Sequence, residues 1–147
     1  VTYDGVSSSP AADFAEMFEW ADGNPSNEDR TGTSVILQDG KVAPCPDNQT
    51  PIGVVSATAG FIGNNPIAWH GKFNTDNLGR RTGGTSPDYS AATAGEADEN
   101  YTPRTTRPEW ATVGLLGRIR VKAGQPTASN WIKIRDIDSQ VSEWLVK

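Results

Sequence analysis

The sequence contains a single cysteine, Cys45, and a single histidine, His70, among its 147 residues. One cysteine excludes an intrachain disulfide framework and any zinc site built on several cysteines. One histidine excludes a histidine-rich metal site and leaves His70 as the sole base for a Ser–His–Asp arrangement. Because His70 has apolar neighbours and Cys45 stands between two prolines, we interpret both side chains as structural.

Long apolar segments and positive charges are scarce as well. No apolar run approaches the roughly 20 residues that are needed to span a bilayer. Thirteen Lys and Arg face 18 Asp and Glu, which gives a formal net charge of −5. A negative chain is poorly suited to nonspecific binding of nucleic acid or of an anionic membrane, so we expect neither as a partner.

The composition that remains is turn-rich but aromatic. Fifteen Gly and 10 Pro accompany five Trp, three Tyr and four Phe, and each large aromatic side chain can bury about 150–250 Å². The length fits a single compact domain with a thin core. Since thin cores are often completed by partner subunits, we expect this chain to form oligomers.

Periodicity predicts a mainly β fold with five to seven short strands and one or two short helices. Asp39-Gly40 predicts a hairpin over 33–43, and 51–58, 111–122 and 131–135 have strand patterns. Two segments stay ambiguous between helix and strand, 13–23 and the tail after residue 135.

The remaining segments define the domain boundaries. Residues 1–12 have loop composition and are predicted to be an extended arm or a remnant of an upstream shaft. Residues 13–147 form the folded domain. Within it, residues 74–103 are almost free of aliphatic side chains, which predicts a long surface loop.

Charge is segregated along the chain: residues 1–30 hold seven acids and one base, and residues 102–135 hold seven bases and one acid. Solvated faces are one interpretation. A second is that the acidic segment packs against the basic one, within a chain or between subunits. A third is that the basic segment binds an anion.

The densest acidic group is Asp13, Glu16, Glu19 and Asp22, spaced three residues apart. On a helix this spacing brings neighbouring side chains together, whereas on a strand it sends them to opposite faces. Crowded carboxylates cannot all ionise, so one can act as an acid and another as a base for amide hydrolysis. An acidic helix start or a Ca²⁺ or Mg²⁺ site would show the same spacing.

Several long blocks resemble one family. They are ADFAEMFEWADGNPSNEDRTG at 12–32, then SVILQDGKVAP, TPIGVVSATAGFIGN, RPEWATVGLLGRIRVKAGQPT, WIKIRDI and VSEWLVK. Together they are similar to the self-cleaving C-terminal intramolecular chaperone domain of phage tail-spike and neck-appendage proteins, which is classed with the glutamic peptidases. The resemblance covers residues 12–147 apart from the 74–103 segment.

The resemblance implies a homotrimer that registers and helps to fold a β-rich shaft upstream in the same polypeptide. It then implies a single-turnover endopeptidase of glutamic or aspartic type that cuts its own chain between Ala12 and Asp13. Glu16 would be the general base or acid. A second acid nearby would be its catalytic partner, and Glu19 is the residue that comes nearest to that position in the family pattern. No cofactor is implied, although a nucleotide or divalent metal stays open. Ala12 has no hydroxyl, which favours carboxylate-activated attack over an acyl shift at this bond. An N–O acyl shift elsewhere could use one of the upstream serines, Ser7, Ser8 or Ser9.

By the same resemblance, the domain belongs to a virion tail or appendage during assembly in the host cytoplasm, where the released domain remains. Two other functions fit the sequence. One is a non-cleaving trimeric cap of a virion fibre. The other is a carbohydrate-binding tip module, in which exposed indoles would stack on a sugar; the side chains in question are Trp20, Trp69, Trp110 and Trp131.

Overall fold

A computed structural model describes residues 10–65, 76–79 and 102–147. Within these ranges the chain forms eight strands and one 3-10 turn, Arg104–Thr106. None of the described helical residues belongs to a helix long and apolar enough to cross a membrane. The strands are β1 (Asp13–Glu19), β2 (Ser34–Gln38), β3 (Lys41–Pro44), β4 (Gly53–Val55), β5 (Ala59–Gly63), β6 (Trp110–Lys122), β7 (Ile132–Asp136) and β8 (Val141–Val146).

The strands share one sheet, which runs in the order β3-β2-β4-β6-β1-β5, with β8 pairing with both β6 and β7. The long strand β6 organises this sheet because it pairs with β1, β4 and β8. All pairs are antiparallel except β1 with β5, which run parallel. Strand β1 is therefore held on both edges, by β5 and by β6.

The chain divides into two compact units. Val1–Asn64 and Pro108–Lys147 form the first unit, which contains all eight strands. Asn65–Arg107 form the second, which includes the 3-10 turn. Several predictions lie outside the described residues: most of the arm over 1–12, most of the 74–103 loop, Ser7 to Ser9, Trp69 and His70.

The mainly β prediction is confirmed, but the described residues form eight strands rather than the five to seven predicted. Both ambiguous segments are strands. The segment after Ala12 forms β1, and the tail forms β8. The expected one or two short helices reduce, in the described part of the chain, to the single 3-10 turn. Helical spacing misleads here because each segment pairs with β6, and those long-range hydrogen bonds decide between the two periodicities.

The predicted hairpin is confirmed by β2 and β3, which are joined by a turn in which Asp39 and Gly40 both have positive φ. This is the turn geometry that an Asp-Gly pair favours. The other three predicted strands are also present, as β4, β6 and β7.

Two clusters of buried side chains make up the hydrophobic core. The first contains Trp20, Val35, Val42, Val55, Ala111 and Val113. The second contains Val54, Ile119, Val121, Ala128, Trp131 and Val146. Strand β6 contributes to both clusters, so the residues at its centre are fixed between them. The predicted cut site packs against that central part of β6.

Candidate functional site

The predicted cut site, the Ala12–Asp13 peptide, lies where β1 begins and is hydrogen-bonded on both sides. The Ala12 N–H donates to the Thr58 carbonyl at 3.0 Å, and the Ala12 carbonyl accepts the Arg118 N–H at 3.4 Å. Ala12 itself is an exposed residue. A fixed N–H donor stabilises the negative charge that a carbonyl oxygen acquires during hydrolysis.

The carboxyl group of Asp13 is buried, with the residue only 3% exposed. Its Oδ1 accepts hydrogen bonds from the Thr58 hydroxyl at 2.8 Å and from the Ser56 hydroxyl at 3.1 Å. Its Oδ2 is buried and has no hydrogen-bond partner among the described residues. A buried carboxyl oxygen without a donor costs free energy, and such a cost is typical of functional sites rather than of packing.

Two glycines of β6 make room for this arrangement. A β-carbon on Gly114 would lie 2.7 Å from Oδ2 of Asp13, and one on Gly117 would lie 2.8 Å from the Ala12 carbonyl oxygen. Gly117 also has a φ of +112°, which other residues rarely adopt. Any larger residue at either position would displace the predicted cut site.

Glu16 is exposed and lies on the face of β1 opposite to Asp13. Its side chain runs over Gly63 of β5, where a β-carbon would stand 3.2 Å from its Cγ. Three residues of extended strand span roughly 10 Å. Within one chain, therefore, Glu16 does not face the Asp13 carboxyl group.

Glu19 and Asp22 are both engaged elsewhere. Glu19 forms an ion pair with Lys41 at 3.0 Å. Asp22 accepts two hydrogen bonds from the Arg30 guanidinium, at 2.9 and 2.7 Å, which lower its pKa from 3.8 to about 2. The crowded cluster that a helix would produce is thus not formed. In the described ranges, no three His, Cys, Asp or Glu side chains lie close enough together to hold a metal ion.

An exposed apolar patch borders Glu16 and consists of Phe14, Phe61 and Leu116. These side chains are 59%, 60% and 52% exposed, and the two rings lie 6.2 Å apart. They occupy one face because Phe14 is the register partner of both other residues. Contiguous exposed apolar side chains commonly mark an interaction surface.

Three arginines predicted within the basic segment surround one buried carboxylate. Glu143 of β8 accepts from Arg118 at 3.2 Å and from Arg135 at 3.3 Å, and Arg120 lies 4.0 Å away. The guanidinium groups themselves are about half exposed. These bases therefore pair with an acid of β8 rather than with the acidic segment 1–30.

The other singled-out residues have structural positions. The Cys45 thiol is buried, and its one S–H lies within reach of the Pro46 carbonyl at 3.4 Å and of the Gln49 carbonyl at 3.3 Å. Burial raises the pKa of this thiol. Trp20 and Trp131 are buried in the two core clusters, which argues against a carbohydrate-binding row of indoles.

Sequence patterning alone does not point to Ser56, Thr58, Gly114 or Gly117 as parts of the site. The two hydroxyl residues lie 43 and 45 positions from Asp13, so no local spacing links them. The one sequence feature that indicates part of this site is the pair of glycines, Gly114 and Gly117, inside the otherwise apolar run of β6. A glycine within a strand often marks a close approach of another backbone.

Comparisons with a protein-family model and with individual known proteins agree with one another. Residues 1–143 match the Peptidase_G2 family, described as the IMC autoproteolytic cleavage domain. The pre-neck appendage protein of Bacillus phage phi29 is 34% identical over 126 residues, which cover 76% of this chain and 14% of that protein. The phage-related protein YobO of Bacillus subtilis strain 168 is 31% identical over 137 residues, which cover 82% of this chain and 16% of that protein. This chain thus corresponds to a small part of each of those relatives.

Two crystal structures of phi29 gene product 12 are similar in fold. The C-terminal fragment has a TM-score of 0.62 and 28% identity, covering 92% of this chain and 100% of the fragment. The pre-mature protein has a TM-score of 0.65 and 26% identity, covering 95% of this chain and 22% of that protein.

Proposed function

The chain belongs to the Peptidase_G2 family of autoproteolytic cleavage domains, and on this premise we propose that it cuts its own polypeptide between Ala12 and Asp13. The observation that carries the proposal is the environment of that peptide. Its carbonyl accepts the Arg118 N–H, and Asp13, the residue whose nitrogen would leave, has a buried carboxyl group.

The reaction is a single-turnover hydrolysis. Water adds to the carbonyl carbon of Ala12, and the Arg118 N–H stabilises the charge on the carbonyl oxygen. The C–N bond then breaks, and the nitrogen of Asp13 leaves with a proton. The products are a carboxylate on Ala12 and an α-amine on Asp13. Side chains and water suffice for these steps, as in other carboxylate-dependent hydrolases.

Glu16 is the proposed general base, and we assign its action to the bond of a neighbouring copy. Within its own chain Glu16 points away from Asp13, on the opposite face of β1. The apolar patch lies on that same face, so a contact between copies that covers the patch would also bring Glu16 against another copy. Glu19 is the second proposed acid, and its ion pair with Lys41 has to open before it can act.

Assembly is the second part of the proposal. Three copies joined through the apolar patch would register the upstream β-rich shaft of the same polypeptide. Such shafts are slow to fold because their contacts are far apart in sequence. Since the cut needs a neighbour's Glu16, cleavage would occur only after assembly. The cut shaft would then remain kinetically trapped in the virion appendage, and the released domain would stay in the host cytoplasm.

A non-cleaving trimeric cap is the alternative function. The observation that favours it is the separation of Glu16 and Glu19 from the Ala12–Asp13 peptide within one chain. The two functions differ in whether a longer parent chain is ever shortened.

Mixed assemblies test the proposal directly. A size-tagged chain that carries Glu16→Gln, together with its upstream segment, is assembled alone and with the parent chain. Glu16→Asp serves as the matched control, because it keeps the carboxylate. We expect the tagged Gln chain to stay intact alone and to be cut in the presence of the parent chain. Rapid cutting of the Gln chain alone would remove Glu16 from the mechanism, and no cutting in the mixture would remove the action between copies.

A further inference from the structure

Two hydroxyl groups converge on one oxygen of Asp13. Thr58 Oγ1 donates to Oδ1 at 2.8 Å, and Ser56 Oγ donates to the same atom at 3.1 Å. We call this pair the hydroxyl clamp. It is itself fixed, because the Thr58 N–H donates to Ser56 Oγ at 3.1 Å and the Ser56 N–H donates to the Thr112 carbonyl at 3.0 Å.

The clamp makes the two oxygens of Asp13 unequal. Oδ1 receives both hydroxyl donors, whereas Oδ2 is buried without a partner among the described residues. Oδ2 also faces the bare backbone of Gly114, where a β-carbon would stand only 2.7 Å away. A carboxyl group held in this way keeps one rotamer and presents one oxygen for chemistry.

We propose that Ser56 and Thr58 are positioning residues for the self-cleavage described above, which fix the Asp13 carboxyl group so that Oδ2 is the oxygen that delivers a proton to the leaving nitrogen. The inference rests on the proposed function. In this step Oδ2 carries the carboxyl proton at the start, while Oδ1 accepts the two hydroxyl donors. Water adds its oxygen to the Ala12 carbon and yields one proton to the neighbouring copy's Glu16 carboxylate, and the Asp13 carboxyl group is left ionised at the end. The C–N electron pair passes to the Asp13 nitrogen, which takes the proton from Oδ2.

A purely structural role for the clamp makes a different prediction. Thr58 is exposed, so replacing its hydroxyl with a methyl group leaves the core clusters unchanged. If the clamp only joined β1 to the β4–β5 connection, Thr58→Val would change the unfolding temperature and leave the cleavage rate of folded chains alone. If it positions Asp13, the rate falls in chains that remain folded.

The test compares matched variants of a chain that includes its upstream segment. Thr58→Val removes the hydroxyl at constant shape, Thr58→Ser keeps it, and Thr50→Val makes the same change at an exposed threonine in the loop before β4. We expect Thr58→Val to cut up to roughly tenfold more slowly, the loss expected for one hydrogen bond. Thr58→Ser and Thr50→Val should cut at the parent rate, and Ser56→Ala should slow cutting further when it is combined with Thr58→Val.

The outcomes separate this inference from the function on which it rests. If the parent chain is cut and Thr58→Val is cut as fast as Thr58→Ser, the positioning role is wrong and the proposed function stands. If the parent chain is never cut under conditions in which it assembles, both are wrong. Melting curves of all the variants show that the compared chains are folded.

Discussion

Gly117 of β6 lies directly against the carbonyl oxygen of Ala12. A β-carbon at position 117 would stand 2.8 Å from that oxygen and 3.2 Å from the Cα of Asp13. The backbone of Gly117 has a φ of +112°, so the position demands glycine for two separate reasons. This contact ties the shape of the central strand to the peptide that we propose is cut.

We therefore expect Gly117→Ala to destabilise the domain and to block cleavage. Backbone strain at such a φ costs about 1–3 kcal/mol, and displacement of Ala12 adds to that. Gly124→Ala is the control, because Gly124 also has a positive φ but open space around it. Gly124→Ala should lower the free energy of unfolding by less than Gly117→Ala does, and it should leave the cleavage rate unchanged. If the two substitutions changed the free energy of unfolding and the cleavage rate equally, the contact between Gly117 and the Ala12 carbonyl would not be what matters at position 117.

The buried carboxylate of Glu143 should stabilise the β6–β7–β8 region through its arginines. Glu143→Gln keeps the shape but removes the charge that Arg118 and Arg135 contact. We expect the free energy of unfolding to fall by about 1–3 kcal/mol, with a smaller difference at high salt, where repulsion between arginines is screened.

Urea titrations at low and high salt measure this effect. Asp136→Asn is the control, since it removes an exposed ion pair with Lys133 of 2.6 Å. Exposed pairs contribute about 0–1 kcal/mol. A Glu143→Gln variant as stable as the parent would show that the arginines do not depend on this carboxylate.

Stability should depend on pH through Asp22. Arg30 lowers the pKa of Asp22 in the folded chain from 3.8 to about 2. A lowered folded pKa means that the ion pair contributes stability above the unfolded pKa and loses it as pH falls through the folded one. Asp22→Asn should therefore be less stable than the parent near neutral pH. This gap in the free energy of unfolding between the two chains should close between about pH 4 and about pH 2.

The gap should be small, because Asp22 is largely exposed and solvent screens the pair. Tryptophan fluorescence can follow the urea midpoints of both chains, and Trp20, whose ring centre lies 4.6 Å from the Arg30 guanidinium, is one of the five tryptophans that contribute to it. A gap that stays constant down to about pH 2 would show that the ion pair is not its source.

The apolar patch should drive self-association. Phe61→Ser removes one ring of the Phe14–Phe61 pair, and burying a phenylalanine side chain contributes about 1.5–3 kcal/mol. We expect the association constant to fall by about tenfold or more, as measured by sedimentation equilibrium. Leu37→Ser, at an exposed leucine on β2, should have little effect. A parent chain that stays monomeric would contradict the patch as a contact between copies.

Local signals in the sequence predict some elements well and others not at all. Asp39-Gly40 predicts its hairpin because the turn chemistry is contained in two residues. The helix-or-strand ambiguity at Asp13–Glu19 could not be resolved locally, since pairing with β5 and β6 decides it. Whether Asp13 and Glu16 are neighbours depends on that choice.

The candidate site also has a part that the sequence predicts and a part that only long-range packing creates. The resemblance points to Ala12, Asp13 and Glu16, but the partners of Asp13 come from residues more than 40 positions away. Ser56 and Thr58 are common loop residues. They reach Asp13 only because β4 pairs with β6 and β5 pairs with β1, which carries the connection between β4 and β5 past the start of β1. Long-range packing, which no single-segment pattern encodes, therefore creates the environment of the cut.

The position of the cut is tested most directly by the mass and N-terminal residue of the domain released from a chain that carries its upstream shaft. Our account predicts a fragment that begins at Asp13, produced by the parent chain and absent from its Glu16→Gln variant. A released fragment with any other first residue, or a parent chain that assembles and stays intact, would contradict it.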